Sequence, residues 1–374
     1  MTMPQTLRAT STLFEPTPTG FYSYHTPDGV PNQYRLHLRV LPDETGILIV
    51  NAASILRLNQ TGTYFAWLKM QGKSESEIVE LSLQRYKVEG ELLKDDLKRF
   101  DQEILTIVND PDQAPLMTDT GFETSNTDQP SDMPLRVNLC LTDRWESQQS
   151  SDYDELSTEQ WKGLIRKTFD AGIPQVIFIG GEPTLRTDLV ELLQYTEELG
   201  MVSGLLSTSA LLYQDLGYLE SLLESGLDHL ILEFEPQSAQ DSTNLQTIFN
   251  QDLFTCVRFP VHRGSDLYAW AIGLVDAGAN ALSFYAADLD ANDQAAHLNQ
   301  QLTNKEIMIE HDLPFPLYPA SIDQPARLFS PEVSEHEYNI YTILPDGSLI
   351  RQDLPAYPLG NLLTTDWNEL VGKY

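Results

Sequence analysis

The sequence predicts an α/β fold: a partial (β/α)6 TIM-like barrel or a doubly wound parallel sheet, preceded by a small winged-helix-like module. From residue 134 onwards, short apolar runs alternate with amphipathic segments, the pattern of strands and helices in turn. The predicted strands are 135–142, 175–180, 202–208, 228–235, 253–260 and 281–286. Because strands that alternate with helices form parallel sheets with crossover helices, these units predict one parallel sheet.

The N-terminal region has a different pattern, in which a hairpin precedes three helices. Residues 34–41 and 46–50 alternate like two strands around a "PDET" turn. Apolar residues then recur at helical spacing, and Ser74 followed by Glu77 is the capping-box pattern that opens a helix. The predicted helices are 52–71, 74–86 and 91–108. This order of elements predicts the winged-helix-like module.

The change of pattern divides the chain into four regions. Residues 109–133 lack periodicity and are rich in Asp, Pro, Thr and Ser, which is the composition of a linker. A "PDG" turn near the end of the chain lies between two alternating runs and predicts a further hairpin. The predicted regions are an N-terminal module (1–108, core 34–108), the linker (109–133), a barrel (134–304) and a C-terminal extension (305–374).

The charge of the chain excludes several classes of partner. It has 55 acidic and 23 basic residues, a net charge of −32. Binding to nucleic acids or to anionic membrane surfaces depends on clustered Lys and Arg, so neither is expected of this acidic protein. No apolar run approaches the roughly 20 residues of a membrane helix, and the first residues lack the apolar segment of a secretory signal. The sequence predicts a cytoplasmic protein.

The sequence "FIGGEPTLR", residues 178–186, joins the second predicted barrel strand to the next helix. Two glycines permit a tight turn that a ligand can approach closely, and Glu182 adds a carboxylate. The same residues also fit a plain junction between strand and helix, with Pro183 at the first helical position. The local pattern therefore leaves a ligand site and a purely structural turn both open.

A GGEP turn after the second strand of a βα repeat resembles the radical S-adenosylmethionine (SAM) superfamily, and the resemblance extends over 154–212. Residues 34–108 resemble the PqqD-type peptide-recognition domain, and 344–370 resemble the SPASM-type extension. The resemblance implies a peptide or protein partner and a role in the maturation of ribosomally synthesised peptides (RiPPs). It also implies that the turn binds the amino group of SAM, through Gly180, Gly181, Glu182 and Pro183.

The same resemblance implies a [4Fe–4S] cluster held by three cysteines in the loop after the first barrel strand. Alignment of that loop places Trp145, Gln149 and Asp152 at the cysteine positions. Cluster iron is held by thiolate sulfur, and the two cysteines of the chain, Cys140 and Cys256, cannot supply three ligands. We therefore expect no metal and no cofactor, and weakened SAM binding because the iron that chelates SAM is missing.

These observations together predict a pseudoenzyme: a non-catalytic, radical-SAM-like scaffold without catalytic residues that binds a peptide or a protein, such as an active maturation enzyme. The peptide would add as a strand to the exposed edge of the N-terminal hairpin. The residues expected around that groove are Leu36, Leu38, Val40, Ile47 and Ile49. If Glu182 belongs to an unused pocket, Glu182→Gln should have little effect on the binding of the peptide or protein partner.

Two alternatives remain open at this point. One is an iron-independent enzyme or ligand-binding protein that uses the SAM pocket, with Glu182, Glu233, Glu235 and His262 at the carboxyl ends of the strands. The other is a structural subunit of a larger assembly.

Overall fold

The chain forms two compact units, Met1–Pro130 and Ser131–Tyr374, in a computed structural model. The structure describes residues 15–26, 34–52, 54–86, 88–109, 134–147, 154–208, 211–235, 241–305, 307–310, 313–316, 340–351 and 357–371. Within these ranges, no helix has the length and apolar character needed to cross a bilayer. The cytoplasmic location and the identities of the four regions stay predictions.

The first unit contains a four-stranded antiparallel sheet in the order β1-β2-β3-β4. Its strands are β1 (Gly20–His25), β2 (Arg35–Val40), β3 (Gly46–Val50) and β4 (Ser54–Leu58). Three helices follow: α1 (Gln60–Met70), α2 (Glu75–Arg85) and α3 (Gly90–Asn109). The predicted hairpin and the three helices are confirmed, and so is the capping box, in which Ser74 and Glu77 bond reciprocally.

Two strands of this sheet were missed by the sequence reasoning. The predicted first helix, 52–71, is wrong in its first part because residues 54–58 form β4, with buried and half-buried residues in strict alternation. The helix begins only after Asn59, whose side chain accepts hydrogen bonds from the main-chain N–H groups of Thr61 and Gly62. Strand β1 lies on the other side and pairs along the whole of β2.

The added strands overturn the predicted position of the peptide groove. Strand β2 pairs with both β1 and β3, so it lies inside the sheet and offers no edge. The side chains predicted to line the groove are all at most 6% exposed: Leu36, Leu38, Val40, Ile47 and Ile49. The first three belong to the core between sheet and helices. Within the described part of the unit, the edges of the sheet are β1 and β4.

The second unit is built on a nine-stranded sheet in the order β10-β9-β8-β7-β6-β5-β11-β12-β13. Its first six strands are β5 (Arg136–Cys140), β6 (Gln175–Ile179), β7 (Val202–Ser207), β8 (His229–Glu233), β9 (Phe254–Val261) and β10 (Ala281–Ala286). Each is parallel to its neighbour in sequence, which confirms the predicted parallel sheet. Among the described residues no strand pair closes this sheet into a barrel.

The predicted C-terminal hairpin joins the same sheet. Strands β11 (Tyr341–Ile343) and β12 (Ser348–Arg351) are antiparallel, β13 (Gly360–Asn361) pairs with β12, and β11 runs parallel to β5. The helices of this unit are α4 (Thr158–Asp170), α5 (Leu189–Glu198), α6 (Leu211–Gln214), α7 (Leu216–Glu224), α8 (Asp241–Phe249), α9 (Tyr268–Asp276), α10 (Asn292–Thr303) and α11 (Trp367–Val371).

The two faces of the parallel sheet bury different groups. One face forms the large core with the helices, where Trp161, Phe178 and Phe259 are fully buried. The opposite face carries a smaller apolar cluster that includes Cys140 and Cys256, covered in part by Leu313. Since both faces are buried, the strands read in the sequence as nearly continuous apolar runs.

Candidate functional site

The GGEP sequence lies at the carboxyl end of β6, where the chain turns into a single 3-10 turn, Pro183–Leu185. The main-chain N–H of Gly181 donates to the carbonyl of Thr142 at 2.9 Å, and that of Glu182 donates to the carbonyl of Arg144 at 2.8 Å. The turn is therefore bound to the segment that follows β5, the neighbouring strand. This is the end of a parallel sheet at which α/β proteins place their ligands.

Both glycines of the turn are required by this contact. A Cβ atom on Gly180 would lie 2.4 Å from the carbonyl oxygen of Thr142, and one on Gly181 would lie 2.2 Å from that of Arg144. The Gly181 Cβ would also meet the Trp145 ring at 2.8 Å. Trp145, which aligns with a cluster cysteine, thus packs on the turn. The other two aligned positions, Gln149 and Asp152, lie outside the described residues.

Glu182 is fully buried, and its carboxylate accepts hydrogen bonds from three neighbours. Oε1 accepts from the Thr184 main-chain N–H (3.0 Å), the Thr184 hydroxyl (2.7 Å) and the Ser207 hydroxyl (2.9 Å). Oε2 accepts from the N–H (2.8 Å) and the hydroxyl (3.0 Å) of Thr208. These bonds tie the end of β6 to the end of β7. Both oxygens are thus used by the protein's own donors.

The main chain of the turn has hydrogen-bond acceptors available to a ligand, whereas the Glu182 carboxylate is used by donors of the protein. The carbonyl oxygens of Gly180 and Gly181 accept no hydrogen bond from the described residues. A bound ammonium group would therefore be held by these carbonyl oxygens rather than by the Glu182 carboxylate. The assignment of Gly180, Gly181, Glu182 and Pro183 to a SAM site stays a prediction.

A partly buried ion-pair network lies at the base of the turn. Arg186 donates to both carboxylate oxygens of Asp188 (2.9 and 2.7 Å) and to the carbonyls of Leu141 (3.3 Å) and Leu156 (3.1 Å). Thr158, the first residue of α4, donates to Asp188 at 2.7 Å. Because these bonds join segments on both sides of the turn, the network fixes the loop positions at this end of the sheet.

This network predicts a pH-dependent contribution of Asp188 to stability. Burial alone would raise the pKa of Asp188, but hydrogen bonds from Arg186 and Thr158 outweigh it and lower the pKa below 3.8. A lowered folded pKa stabilises the native state above the unfolded pKa, and this contribution is lost as pH falls through the folded value. We expect Asp188→Asn to cost about 1–3 kcal/mol at pH 6.

The measurement is urea denaturation of wild type and Asp188→Asn from pH 6 to pH 3. The stability difference should be constant above about pH 4 and should shrink below it. Asp170→Asn is the matched control, because Asp170 pairs with Arg166 on the exposed face of a helix. A difference between wild type and Asp188→Asn that does not change with pH would contradict the ionic role.

The other acidic residues singled out in the sequence fall into two separate groups. Glu235 Oε1 lies 3.1 Å from His262 Nε2, and both side chains are more than half exposed. Glu233, at the end of β8, accepts a hydrogen bond from the Tyr285 hydroxyl at 2.8 Å and lies 3.8 Å from Arg258 Nε. The hydrogen bonds of Glu182 involve neither group.

Arg258 and Tyr285 were missed by the sequence reasoning, although one signal was present. Arg258 is a charged residue inside the otherwise apolar run "FTCVRFPV" of β9. A charge in a strand that is buried on both faces needs a partner or a ligand. That pattern alone could have identified the position.

Three kinds of comparison with known proteins bear on these observations, and no family model matches the chain. Among curated proteins, it is 39% identical to a PqqA peptide cyclase of Rhodopseudomonas palustris over 85 residues, 23% of this chain and 22% of that one. It is 31% identical to the PqqA peptide cyclase of Methylobacterium nodulans over 117 residues, 31% and 30% of the two chains. The chain thus spans between a fifth and a third of the length of these relatives.

Among solved structures, the chain matches Streptococcus suis SuiB bound to the precursor peptide SuiA. The TM-score is 0.50 at 14% identity, over 93% of this chain and 88% of SuiB. At this identity the match shows a shared fold: a mixed α/β architecture with a parallel sheet. The segment that aligns with PqqA peptide cyclases adds homology to radical SAM proteins.

These comparisons contradict two of the predictions. The relatives are named as PqqA peptide cyclases, which are catalytic radical SAM enzymes, so the prediction of a non-catalytic pseudoenzyme was wrong. The prediction that no cofactor is used is contradicted by the same relatives, which point to SAM and a [4Fe–4S] cluster.

The residues of this chain suit SAM but do not suit a [4Fe–4S] cluster. The carbonyl oxygens of Gly180 and Gly181, which accept no hydrogen bond from the described part of the chain, suit the amino group of SAM. The cysteines do not suit a cluster, because there are two of them in the chain and both are buried within strands. Burial raises the pKa of both thiols, whereas iron binds thiolates. No step of the reaction is therefore assigned to a cluster on this chain.

Proposed function

We propose that this protein is an enzyme that modifies a peptide, in the maturation of a RiPP. The observation that carries the proposal is the homology to PqqA peptide cyclases, found in a chain with the fold of SuiB. SuiB is known in complex with a precursor peptide, which supports a peptide as the substrate class.

The described residues suggest how the turn after β6 contributes to this activity. The carbonyl oxygens of Gly180 and Gly181 would hold the amino group of SAM, and the buried Glu182 keeps the turn in place through its bonds to Thr184, Ser207 and Thr208. SAM would bind at this turn as a ligand, and no radical step is derived from it, because the cysteines of the chain do not suit the cluster that would supply the electron. The role of the protein is orientation, because a fixed turn holds its acceptors without reorganisation.

The peptide would be recognised by strand addition at the edge of β4, which has no second neighbour among the described strands. In an antiparallel sheet, the main-chain groups of successive residues bond alternately to the strands on either side. The N–H of Asn51 donates to the carbonyl of Arg35, so Ile49 and Ile47 also bond towards β2. The residues of β3 between them therefore bond towards β4. In the β3–β4 register, Leu48 is opposite Leu56. Leu56 therefore bonds to β3, and its neighbours Ile55 and Arg57 present their main-chain N–H and C=O groups on the other side of β4. These groups can pair with a peptide.

A proline scan of β4 combined with mass spectrometry tests both parts of the proposal. The chain is co-expressed with tagged short peptides encoded beside its gene, and each peptide is examined for a change of mass. Arg57→Pro removes an outward N–H and should abolish the modification while the sheet stays folded. Leu56→Pro is the matched control, because it removes a bond of the β3–β4 ladder and should unfold the unit.

The outcomes separate the two parts. If no co-expressed peptide changes mass with the wild-type chain, the enzymatic proposal fails. If a peptide is modified equally by wild type and by folded Arg57→Pro, the enzyme stands and the β4 edge is not its recognition site.

A further inference from the structure

Among the described residues, Arg258 is the most deeply buried basic side chain of the parallel sheet. It lies on β9, on the sheet face opposite the helices, and the residue is 1% exposed. The ring of Phe315 lies 3.8 Å from its Cζ atom, and the ring of Tyr285 lies 5.1 Å away. The two rings also contact each other, with centroids 5.2 Å apart, so they form one aromatic wall beside the guanidinium.

The in-plane hydrogen bonds of Arg258 are incomplete. Nη1 donates to the carbonyl oxygen of Pro314. Nη2 is buried and has no hydrogen-bond partner among the described residues. The nearest carboxylate, Glu233, lies 3.8 Å from Nε, beyond hydrogen-bond distance, and the Tyr285 hydroxyl already donates to it.

A buried guanidinium with an unmet donor is costly unless a ligand completes it. Leaving one such donor without a partner costs on the order of 1–3 kcal/mol. If the role of Arg258 were only to pair with Glu233, a direct hydrogen bond between them would be expected, as Arg186 makes with Asp188. The guanidinium is planar and matches the two oxygens of a carboxylate. The Pro314 carbonyl takes one of the two N–H donors of Nη1, so a donor of Nη1 and those of Nη2 remain for such a group.

We infer that Arg258 binds a carboxylate of the peptide substrate, either an acidic side chain or the C-terminus. Phe315 and Tyr285 flank the site, and the carboxylate completes the donors of Nη1 and Nη2. The inference rests on the proposed function and adds a preference for acidic peptides. Arg258 is level with Glu233, the last residue of β8, and lies within β9, so it approaches from inside the sheet the end at which α/β proteins present their substrate sites.

The test is selection of peptides by the full chain, read by mass spectrometry. Two random heptapeptide pools are compared: one with free C-termini and acidic residues, and one amidated, with Asn and Gln in place of Asp and Glu. Wild type should retain the acidic pool about tenfold better, the effect of one charged hydrogen-bonded pair. Arg258→Met should lose this preference, and Arg258→Lys should keep part of it because it retains the charge.

Arg263→Met is the matched control, since Arg263 also belongs to the β9 region but its side chain is 74% exposed. It should behave as wild type. If the Arg258 variants do not fold, competition on the wild-type chain gives the second measurement: acetate should displace retained peptides, and acetamide should not.

Each further outcome is decisive. Equal retention of the two pools by wild type, or an acidic preference that survives in Arg258→Met, would overturn the carboxylate site while leaving peptide binding intact. Binding of SAM alone that depends on Arg258, with no difference between the pools, would overturn its assignment to the peptide. Retention of no peptide from either pool would count against the proposed function itself.

Discussion

Replacing Glu182 by alanine should lower the free energy of unfolding by about 3 kcal/mol or more, the largest effect expected of any single change near the turn. The carboxylate is fully buried and accepts five hydrogen bonds, from Thr184, Ser207 and Thr208. Its removal takes away the acceptor of the Thr184 and Thr208 donors, of which those of Thr184 are buried. Equilibrium urea denaturation, followed by the fluorescence of the buried Trp161, measures the change.

Glu182→Gln is also expected to be destabilising, by about 2 kcal/mol. Its amide nitrogen would face the donors that now bond to one of the carboxylate oxygens. The expectation from sequence that Glu182→Gln matters little concerned peptide binding, and it stays a separate prediction. Glu159→Ala is the control: its side chain is 84% exposed on α4, and the change should stay within about 0.5 kcal/mol. A stability loss at Glu182 no larger than at Glu159 would contradict the structural role.

Replacing Gly181 by alanine is the second change with a large expected effect. Its Cβ would lie 2.2 Å from the carbonyl oxygen of Arg144, a main-chain atom that can move only with the segment after β5. We expect a loss of about 3 kcal/mol and a displaced Trp145, because overpacking forces backbone shifts. Thermal unfolding measures the stability, and quenching of tryptophan fluorescence by acrylamide follows the exposure of the indole rings.

Gly163→Ala provides the matched control on α4. A Cβ at Gly163 meets nothing within 4 Å, so alanine should stabilise the helix by about 0.5–1 kcal/mol. Glycine to alanine is thus expected to lower the free energy of unfolding at position 181 and to raise it at position 163. If Gly181→Ala is as stable as wild type, the close approach of the two loops is not a feature of the folded protein.

Several features could be predicted from the sequence because their physical causes are local. Each strand of the parallel sheet is a short apolar run, since both of its faces are buried, and helices such as α3 and α4 carry an apolar stripe. The capping box of Ser74 and Glu77 is encoded within four residues. The GGEP sequence could be singled out as a candidate ligand turn for the same reason: its glycines and its carboxylate are adjacent in the chain.

The sequence reasoning failed where a side chain's role depends on partners far along the chain. It treated the β2–β3 hairpin as an edge because it missed the pairing of β1 with β2. It judged the whole protein non-catalytic from the missing cysteines, and homology to peptide cyclases contradicts that judgement. The number of cysteines shows only whether the chain can hold a [4Fe–4S] cluster. It does not show whether the parallel sheet binds a substrate.

By itself, the sequence determined the parallel α/β sheet, the N-terminal module of strands and helices, and the supply of only two cysteines. Only the tertiary structure decided what the polar groups at the carboxyl end of the sheet do. Glu182 meets Ser207 25 residues along the chain, and Tyr285 meets Glu233 across 52 residues. Periodicity reports which face of an element is buried, but hydrogen bonds between neighbouring strands depend on register and depth, which form only when the sheet assembles.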